Sequence, residues 1–263
     1  MSDSRAPATV DLAVPEQVLA IGAHPDDIEF GCGATLAKWA AAGASVHLLV
    51  LTDGSKGSWD PVIDVHDLTR VRLEEQRAAA ATLGSDTVQT LGAVDGELEN
   101  GREERAAVCA VLRRIRPDVV LGHDPWKRYR LHPDHRRAGE LTIDAIVAAR
   151  DPLFFPEQEL APHRPQTLLL FEAEEVDHLE RVEGFVDQKV AALLCHRSQW
   201  RSTMGIEADS PSATAQRDAF ATRIVDEARD AARATSERSE SSLAPVSPCA
   251  TMEAEAFKRI DDL

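Results

Sequence analysis

Short apolar runs alternate with longer segments of mixed polarity from about residue 17 to residue 171. Runs that are apolar at successive positions are typical of strands buried on both faces of a sheet. They predict strands at residues 18–23, 46–52, 88–91, 118–122 and 167–171.

The segments between and after these runs favour helices. One of them places Val108, Val111 and Ile115 at positions i, i+3 and i+7, which lie on one face of a helix. Gly43 and Gly84 follow two of the segments, in keeping with the preference for glycine just beyond a helix. Helices are predicted at residues 34–42, 70–83, 102–116, 133–149, 186–197 and 213–235, and a loop at residues 54–68.

The alternation of strand and helix predicts an α/β fold, with a mostly parallel sheet and helices on both faces. A length of 263 residues suits one large domain with an appendage. We expect a flexible lead-in at residues 1–16, the main domain at residues 17–200, and a helical C-terminal extension at residues 201–263 that packs on the same domain.

Charge and composition narrow the function classes. The chain carries 45 acidic and 29 basic residues, for a formal net charge of −16. A field of that sign repels nucleic acid and anionic membrane surfaces, so neither is an expected partner. No apolar run approaches the roughly 20 residues of a membrane-spanning helix, and no secretory signal is apparent.

The cysteines are far apart and form no C-x-x-C pair. We therefore expect reduced thiols and a cytoplasmic location. The four residues are Cys32, Cys109, Cys195 and Cys249.

Two clusters of polar residues follow buried strands. The first strand leads into His24, Asp26 and Asp27, and the fourth leads through a loop to His132 and His135. Because ligands of such sheets bind beyond the carboxyl ends of the strands, the two clusters can meet there. A catalytic zinc ion needs three protein ligands, commonly His and carboxylate, and an open position for water. Each residue alone is more typical of a cap, a turn or a solvated surface, whereas the two clusters together indicate a metal site.

Several segments share a resemblance to one family. They are AHPDDIEFGCGATLAKWAAAG at residues 23–43, LTDGSKGS at 51–58, HPDH at 132–135, and Arg72-x-x-Glu75 with Leu83-Gly84 closing the same helix. Over roughly residues 17–200 the chain resembles the PIG-L/LmbE-like family of zinc-dependent N-acetylglucosaminyl deacetylases. The first of these motifs is the most specific.

The resemblance implies a Rossmann-like fold in which His24, Asp27 and His135 bind zinc. Asp26 would be the general base, and a protonated His132 would stabilise the oxyanion or protonate the departing amine. Zinc lowers the pKa of bound water towards ~7, so that Asp26 can take a proton and the resulting hydroxide can attack an amide carbonyl.

The resemblance also implies that Arg72 contacts the substrate. Some members of the family carry a tyrosine where this chain has Arg130, beside Tyr129, and many carry a glutamate where it has Ser55. Residues 127–130 include three basic side chains, which either bind an anionic part of the substrate or lie in a solvated loop. We expect Arg72 and Arg130 to be substrate-binding residues.

Three further polar residues are weaker candidates. His123 and Asp124 end the fourth strand, and they either support the metal ligands or form a turn. His196 stands in a CHRSQ segment that resembles a recurrent late segment of the family.

Other functions stay open at this point. Gly31 and Gly33 precede a helix, as in nucleotide-binding proteins, but Leu36 stands where a dinucleotide motif has its third glycine. A silent metal-binding module would be marked by a lost ligand or base, and none is lost. An amidase that cleaves a thiol-sugar conjugate would use the same centre. The expected substrate is an N-acetylated amino sugar on a small molecule. The sequence leaves open whether the chain forms a homo-oligomer.

Overall fold

The computed structural model describes residues 8–239 and 252–263. The strands are β1 (Thr9–Val10), β2 (Gln17–Gly22), β3 (Ser45–Thr52), β4 (Thr87–Ala93), β5 (Val119–His123), β6 (Thr167–Phe171), β7 (His178–Arg181) and β8 (Ala254–Ile260). The helices are α1 (Asp27–Ala41), α2 (Val65–Leu83), α3 (Arg102–Ile115), α4 (Pro133–Arg150), α5 (Val186–Leu193) and α6 (Ala213–Ser239). Short helical turns of other pitch lie at Pro156–Gln158, Arg197–Gln199 and Trp200–Met204.

The described strands form one eight-stranded sheet in the order β1-β7-β8-β6-β5-β2-β3-β4. β2 lies between β3 and β5 and runs parallel to both, whereas β8 runs antiparallel to β6 and β7. The predicted α/β fold with a mostly parallel sheet is confirmed. The strand order reverses at β2 and β5, and the crevice at their carboxyl ends is where sheets of this kind bind ligands.

Both faces of the sheet are covered. In β2, Leu19 and Ile21 pack into a core cluster with residues of α3 and α4, while Val18 and Ala20 pack into another with residues of α1 and α2. All four side chains are 0% exposed. A strand buried on both faces needs apolar residues at successive positions, which is why β2 is a continuous apolar run in the sequence.

Some helix ends differ from the prediction, and α2 shows why. It begins at Val65 rather than at residue 70. The Asp64 side chain accepts hydrogen bonds from the backbone N–H groups of His66 and Asp67, which caps the helix before its apolar period begins. The loop predicted at residues 54–68 is therefore shorter than expected.

The C-terminal extension predicted to be helical over residues 201–263 contains a strand. Ala213–Ser239 form a helix as expected, but Ala254–Ile260 form β8, which lies between β6 and β7. Phe257 is 0% exposed and packs into the core. Glu255 accepts hydrogen bonds from two backbone N–H groups of α1. These tertiary contacts hold residues 254–260 in a strand, although the composition of the segment is polar.

The lead-in at residues 1–16 was expected to be loose, but part of it is bound to the sheet. Thr9 and Val10 pair with β7, and the backbone N–H of Leu12 donates to Glu180 over 2.7 Å. Residues 1–7 lie outside the described part of the chain. The division into a main domain and an extension stays a prediction.

Gly31 and Gly33 allow α1 to pack closely. A Cβ at Gly31 would lie 2.5 Å from the ring of Phe171 in β6, and a Cβ at Gly33 would lie 3.3 Å from the side chain of Lys189. Close packing against Phe171 therefore accounts for Gly31 without a bound phosphate, whereas the flexible side chain of Lys189 leaves room for adjustment at Gly33.

Three of the four cysteines are described, and all three are free thiols. Cys32 and Cys109 are buried and Cys195 is half-buried, and the reduced state in the cell stays a prediction. Cys249 lies outside the described residues. Within residues 8–239 and 252–263, no helix combines the length and apolar character needed to cross a bilayer.

Candidate active site

The residues of the two predicted clusters gather at the carboxyl ends of β2 and β5. After β2, the backbone N–H of His24 donates to Asp27 Oδ2 over 2.7 Å, and Asp27 begins α1. His132 is the N-cap of α4, and His135 lies in the first turn of that helix. Pro133 suits the first helical position because its missing N–H would have no partner there. Two turns that are distant in sequence thus present their side chains to one point.

Potential ligand atoms of three side chains face one another at this point. His24 Nδ1 lies 3.2 Å from His135 Nε2 and 3.2 Å from Asp27 Oδ2. His135 Nε2 lies 3.3 Å from Asp27 Oδ1. In a tetrahedral zinc site with bonds of about 2.0–2.1 Å, ligand atoms lie roughly 3.3 Å apart. The spacing and the donor types therefore fit a divalent metal ion held between the three side chains.

His24 is also held through its other ring nitrogen. Nε2 lies 3.1 Å from Asp134 Oδ2 and 3.2 Å from Asp95 Oδ1. Burial would lower the pKa of His24, but hydrogen bonds with three carboxylates, that of Asp134 first, raise it to about 12. The two carboxylates beside Nε2 keep a proton on that nitrogen, which leaves Nδ1 to face a metal.

Asp27 is kept ionised by its neighbours. Burial alone would raise the pKa of Asp27, but His135 and His123 hold it well below its usual range. His123 Nε2 lies 3.3 Å from Asp27 Oδ2, and its ring stacks on that of His135 with centroids 4.5 Å apart. His123 therefore supports a candidate metal ligand. Asp124 instead accepts hydrogen bonds from two backbone N–H groups and shapes a turn.

Asp26 is adjacent to Asp27 but is set apart from the ligand atoms. Among the described residues, the overlapping clusters that could hold a metal do not include it. Its backbone φ is 102°, a left-handed value for a non-glycine residue. Burial raises the pKa of Asp26 to about 7, against the lowering effect of Arg72. A carboxyl group with that pKa is suited to accept a proton near neutral pH.

Comparison with known proteins bears directly on this site. The family model described as PIG-L: GlcNAc-PI de-N-acetylase matches residues 19–146, which include both polar clusters. Diacetylchitobiose deacetylase of Thermococcus kodakarensis is 37% identical over 188 residues, which are 70% of each chain. The chain belongs to the PIG-L family.

Two further relatives extend the comparison. The 1D-myo-inositol 2-acetamido-2-deoxy-alpha-D-glucopyranoside deacetylase of Kineococcus radiotolerans is 34% identical over 166 residues, which are 51% of this chain and 46% of that relative. The structure of N,N'-diacetylchitobiose deacetylase from Pyrococcus horikoshii, in complex with its inhibitor MPG, matches with a TM-score of 0.76 at 27% identity. That match covers 94% of this chain and 84% of the other. All of these relatives are named as deacetylases.

His132 lies at the exposed mouth of the PIG-L site. Its ring centroid is 4.6 Å from that of His24 and 4.9 Å from that of His135. Burial lowers the pKa of His132, and the charges of these two neighbours lower it further. Its Nδ1 accepts a hydrogen bond from the backbone N–H of Asp134 over 3.3 Å, so a neutral ring carries its proton on Nε2. This geometry favours a neutral donor over the protonated imidazolium expected from the sequence, and the catalytic role of His132 stays a prediction.

Arg72 lies beneath the site and is 3% exposed. It donates to the carbonyl oxygens of Pro25, over 2.7 Å, and Gly54, over 2.9 Å, and Nη2 lies 3.6 Å from Asp26 Oδ2. A Cβ at Gly54 or Gly57 would meet the guanidinium, which explains the glycines in the loop after β3. The guanidinium is thus bound by protein groups, and its contact with substrate stays a prediction.

Arg130 lies beside a candidate metal ligand. Its Nη1 lies 2.8 Å from His135 Nδ1, and its Nη2 lies 2.6 Å from Glu172 Oε2. Neutral His135 can offer Nε2 to a metal only when Nδ1 carries the proton, so the guanidinium must then leave Nδ1 and keep Glu172. The neighbouring Tyr129 is 85% exposed and Arg128 is 69% exposed, as in a solvated loop. The substrate contact of Arg130 stays a prediction.

Sequence reasoning did not single out Asp95 and Asp134. Asp134 is 0% exposed, and two backbone N–H groups beyond β4 donate to its carboxylate over 2.6 and 3.2 Å. Its place inside the HPDH segment was the available signal, whereas Asp95 is marked only by following β4 at the same edge of the sheet. His196 is 0% exposed and lies beside Glu29, with Nε2 3.6 Å from Oε2.

Proposed function

We propose that this chain is a zinc-dependent N-deacetylase that removes an acetyl group from the amide nitrogen of an N-acetylglucosamine-type small molecule. The observation that carries the proposal is the mutual spacing of the ligand atoms of His24, Asp27 and His135 beside a separate carboxyl group, that of Asp26. Relatives named as deacetylases of acetylated amino sugars support the substrate class.

His24, Asp27 and His135 would hold one divalent ion, and their mixed nitrogen and oxygen donors favour zinc. Bound there, the ion would supply Lewis acidity towards water and towards the amide carbonyl. Asp134 and Asp95 would keep the ring of His24 in its binding orientation. Outer partners of this kind typically contribute about 10–100-fold to metal affinity.

The remaining residues would move protons. Asp26 would take one proton from the attacking water, since its raised pKa of about 7 keeps it basic near neutral pH. His132 would donate a hydrogen bond from Nε2 to the carbonyl oxygen, and Asp26 would pass the proton it took from water to the departing nitrogen. The water oxygen bonds to the carbonyl carbon, the amide C–N bond breaks, and acetate and a primary amine leave. The remaining proton of the acid product passes to solvent as acetate forms, which leaves Asp26 ionised and His132 neutral as at the start.

Two other functions are left open by the sequence. Nucleotide binding has little support, because packing against Phe171 accounts for Gly31 and because Leu36 stands where a dinucleotide motif has its third glycine. Cleavage of a thiol-sugar conjugate would use the same groups, so only substrates can separate it from deacetylation.

The test is a screen for released primary amine, run with added zinc and with a chelator. The panel holds N-acetylglucosamine, diacetylchitobiose, an N-acetylglucosaminyl inositol and a thiol conjugate of glucosaminyl inositol. We expect amine release from at least one acetylated sugar, loss of release with chelator, recovery with zinc, and loss in Asp26→Asn. Zinc-loaded protein that releases amine from no member would contradict the proposal, and release from the thiol conjugate alone would select the amidase.

A further inference from the structure

Two side chains of helix α2 form hydrogen bonds with the carbonyl and the N–H of one peptide unit in the candidate site. Arg72 Nη2 donates to the carbonyl oxygen of Pro25 over 2.7 Å. The backbone N–H of Asp26 donates to Gln76 Oε1 over 3.0 Å. The carbonyl and the N–H belong to the same peptide bond, the one that joins Pro25 to Asp26. Arg72 and Gln76 are one helical turn apart and are 3% and 1% exposed, so they form a buried clamp.

The clamped peptide precedes a residue with a strained backbone. Asp26 has φ 102° and ψ −25°. A non-glycine residue adopts such values at a cost of about 1–3 kcal/mol, and it keeps them only where the surroundings hold it. Rotation of the Pro25–Asp26 peptide would change φ of Asp26 and with it the direction of the carboxylate. The clamp therefore controls where that carboxylate points.

Gln76 is itself oriented by a buried carboxylate. Its Nε2 donates to Glu29 Oε1 over 2.6 Å, and Glu29 is 0% exposed. A glutamine amide has a donor on one side and an acceptor on the other. Because Glu29 takes the donor, the acceptor Oε1 is left facing the N–H of Asp26. Glu29 thus determines which way round the amide lies.

We infer that Gln76 is a positioning residue, which holds the backbone of Asp26 in the conformation that directs its carboxylate at the reacting water. The inference rests on the proposed function, because it takes Asp26 as the general base. Asp27 is fixed separately, through its own bond from the backbone N–H of His24 at 2.7 Å. Loss of the Gln76 hydrogen bond should therefore disturb the base and spare the metal site.

The first test is Gln76→Met, which keeps the length of the side chain and removes both hydrogen bonds. We expect kcat to fall about tenfold to a hundredfold, the scale for a misplaced reacting group. We expect KM to change by less than about twofold and zinc per chain to stay at the wild-type value. The matched control is Gln188→Met, which removes a glutamine hydrogen bond of 2.7 Å to the Thr82 carbonyl near the other end of α2. The control should keep the wild-type kcat.

A double-mutant cycle with Asp26→Asn shows whether Gln76 acts through Asp26. We expect Gln76→Met to cause little further loss of kcat in the Asp26→Asn background, because the carboxylate it positions is gone. The same loss in both backgrounds, or loss of zinc in Gln76→Met, would overturn the inference. Wild-type kcat in Asp26→Asn alone would overturn the base role in the proposed function, a result visible without any change at Gln76.

A reciprocal exchange gives a second route if Gln76→Met fails to fold. Gln76→Glu alone would set two carboxylates against each other across the present 2.6 Å contact, and we expect it to lower kcat. Adding Glu29→Gln restores the hydrogen bond, because the new amide at position 29 donates to the new carboxylate at position 76. The other oxygen of that carboxylate can still accept from the N–H of Asp26. We expect the double variant to recover most of the lost kcat. Absence of recovery at full zinc content would overturn the inference.

Discussion

Helix α4, which carries His135, approaches the end of β5 so closely that one methyl group at Gly139 can test the site. An ideal Cβ at Gly139 would lie 2.6 Å from the carbonyl oxygen of His123 and 2.8 Å from the backbone nitrogen of Pro125. These are main-chain atoms, so they cannot rotate away. Ordinary van der Waals contact begins near 3.4 Å, so α4 must retreat by roughly 0.8 Å at this position in Gly139→Ala.

A retreat of that size matters because His135 lies one turn before Gly139 on the same helix. Metal–ligand distances tolerate deviations of only about 0.2 Å. We therefore expect Gly139→Ala to weaken zinc binding by at least about tenfold. Overpacking should also lower the free energy of unfolding by about 1–3 kcal/mol, with Tm falling by about 2–4 °C for each kcal/mol.

Calorimetric titration of zinc into metal-free protein and thermal melts would measure the two effects. The matched control is Gly33→Ala in α1, where a Cβ would lie 3.3 Å from the flexible side chain of Lys189 and 3.8 Å from that of Leu83. That control should keep wild-type zinc affinity, and its stability should be unchanged or higher by up to ~1 kcal/mol. If Gly139→Ala bound zinc like the wild type and melted no lower than the control, the approach of α4 would not set the position of His135.

Further predictions follow from the same geometry. Asp27→Asn should lose zinc in elemental analysis as well as activity, whereas Asp26→Asn should keep zinc and lose about 10²-fold or more in kcat; equal zinc loss in both would contradict this division. Since burial and its neighbours hold the pKa of His132 below its usual 6.5, a step that needs the imidazolium would be lost as the pH rises through that lower value. We expect instead that the wild-type kcat persists above about pH 7, and that His132→Ala lowers it at every pH with zinc retained. A kcat that falls as the pH rises through a value below 6.5 would instead support a catalytic imidazolium. Gly57→Ala should lower both kcat and Tm because its Cβ would contact the guanidinium of Arg72, and wild-type values of both would refute that. A chelator should lower Tm and zinc should restore it, because a ligand bound only to the folded state stabilises that state.

The parallel part of the sheet could be predicted from sequence because its strands are buried on both faces and read as apolar runs. β8 gave no such pattern, since the charged residues Glu255, Lys258 and Arg259 interrupt its apolar positions. Its partners, β6 and β7, also lie more than 70 residues earlier in the chain. β1 has two residues, too few for any period to show. Long-range pairing, rather than local pattern, decides both strands.

Some residues of the candidate site could likewise be predicted from the sequence, and others could not. His24, Asp26 and Asp27 could be predicted because they stand together after a strand, and the HPDH segment repeats that density of ligands. Gln76 and Glu29 look like ordinary polar helix residues in the sequence. Their importance depends on α1 and α2 meeting beneath Asp26, which no local pattern shows.

The place of β8 has a consequence for how the protein is made. Among the described strands, β8 is the one that connects the β7–β1 pair to the rest of the sheet, and it is synthesised after all of them. The strands from β2 to β6 can pair while the ribosome is still at work, but β7 and β1 have no place in the sheet until residues 254–260 emerge. Until then the edges of β6 and β7 stay open to pairing with other chains. Aggregation during expression should therefore increase in a variant that is truncated before residue 254.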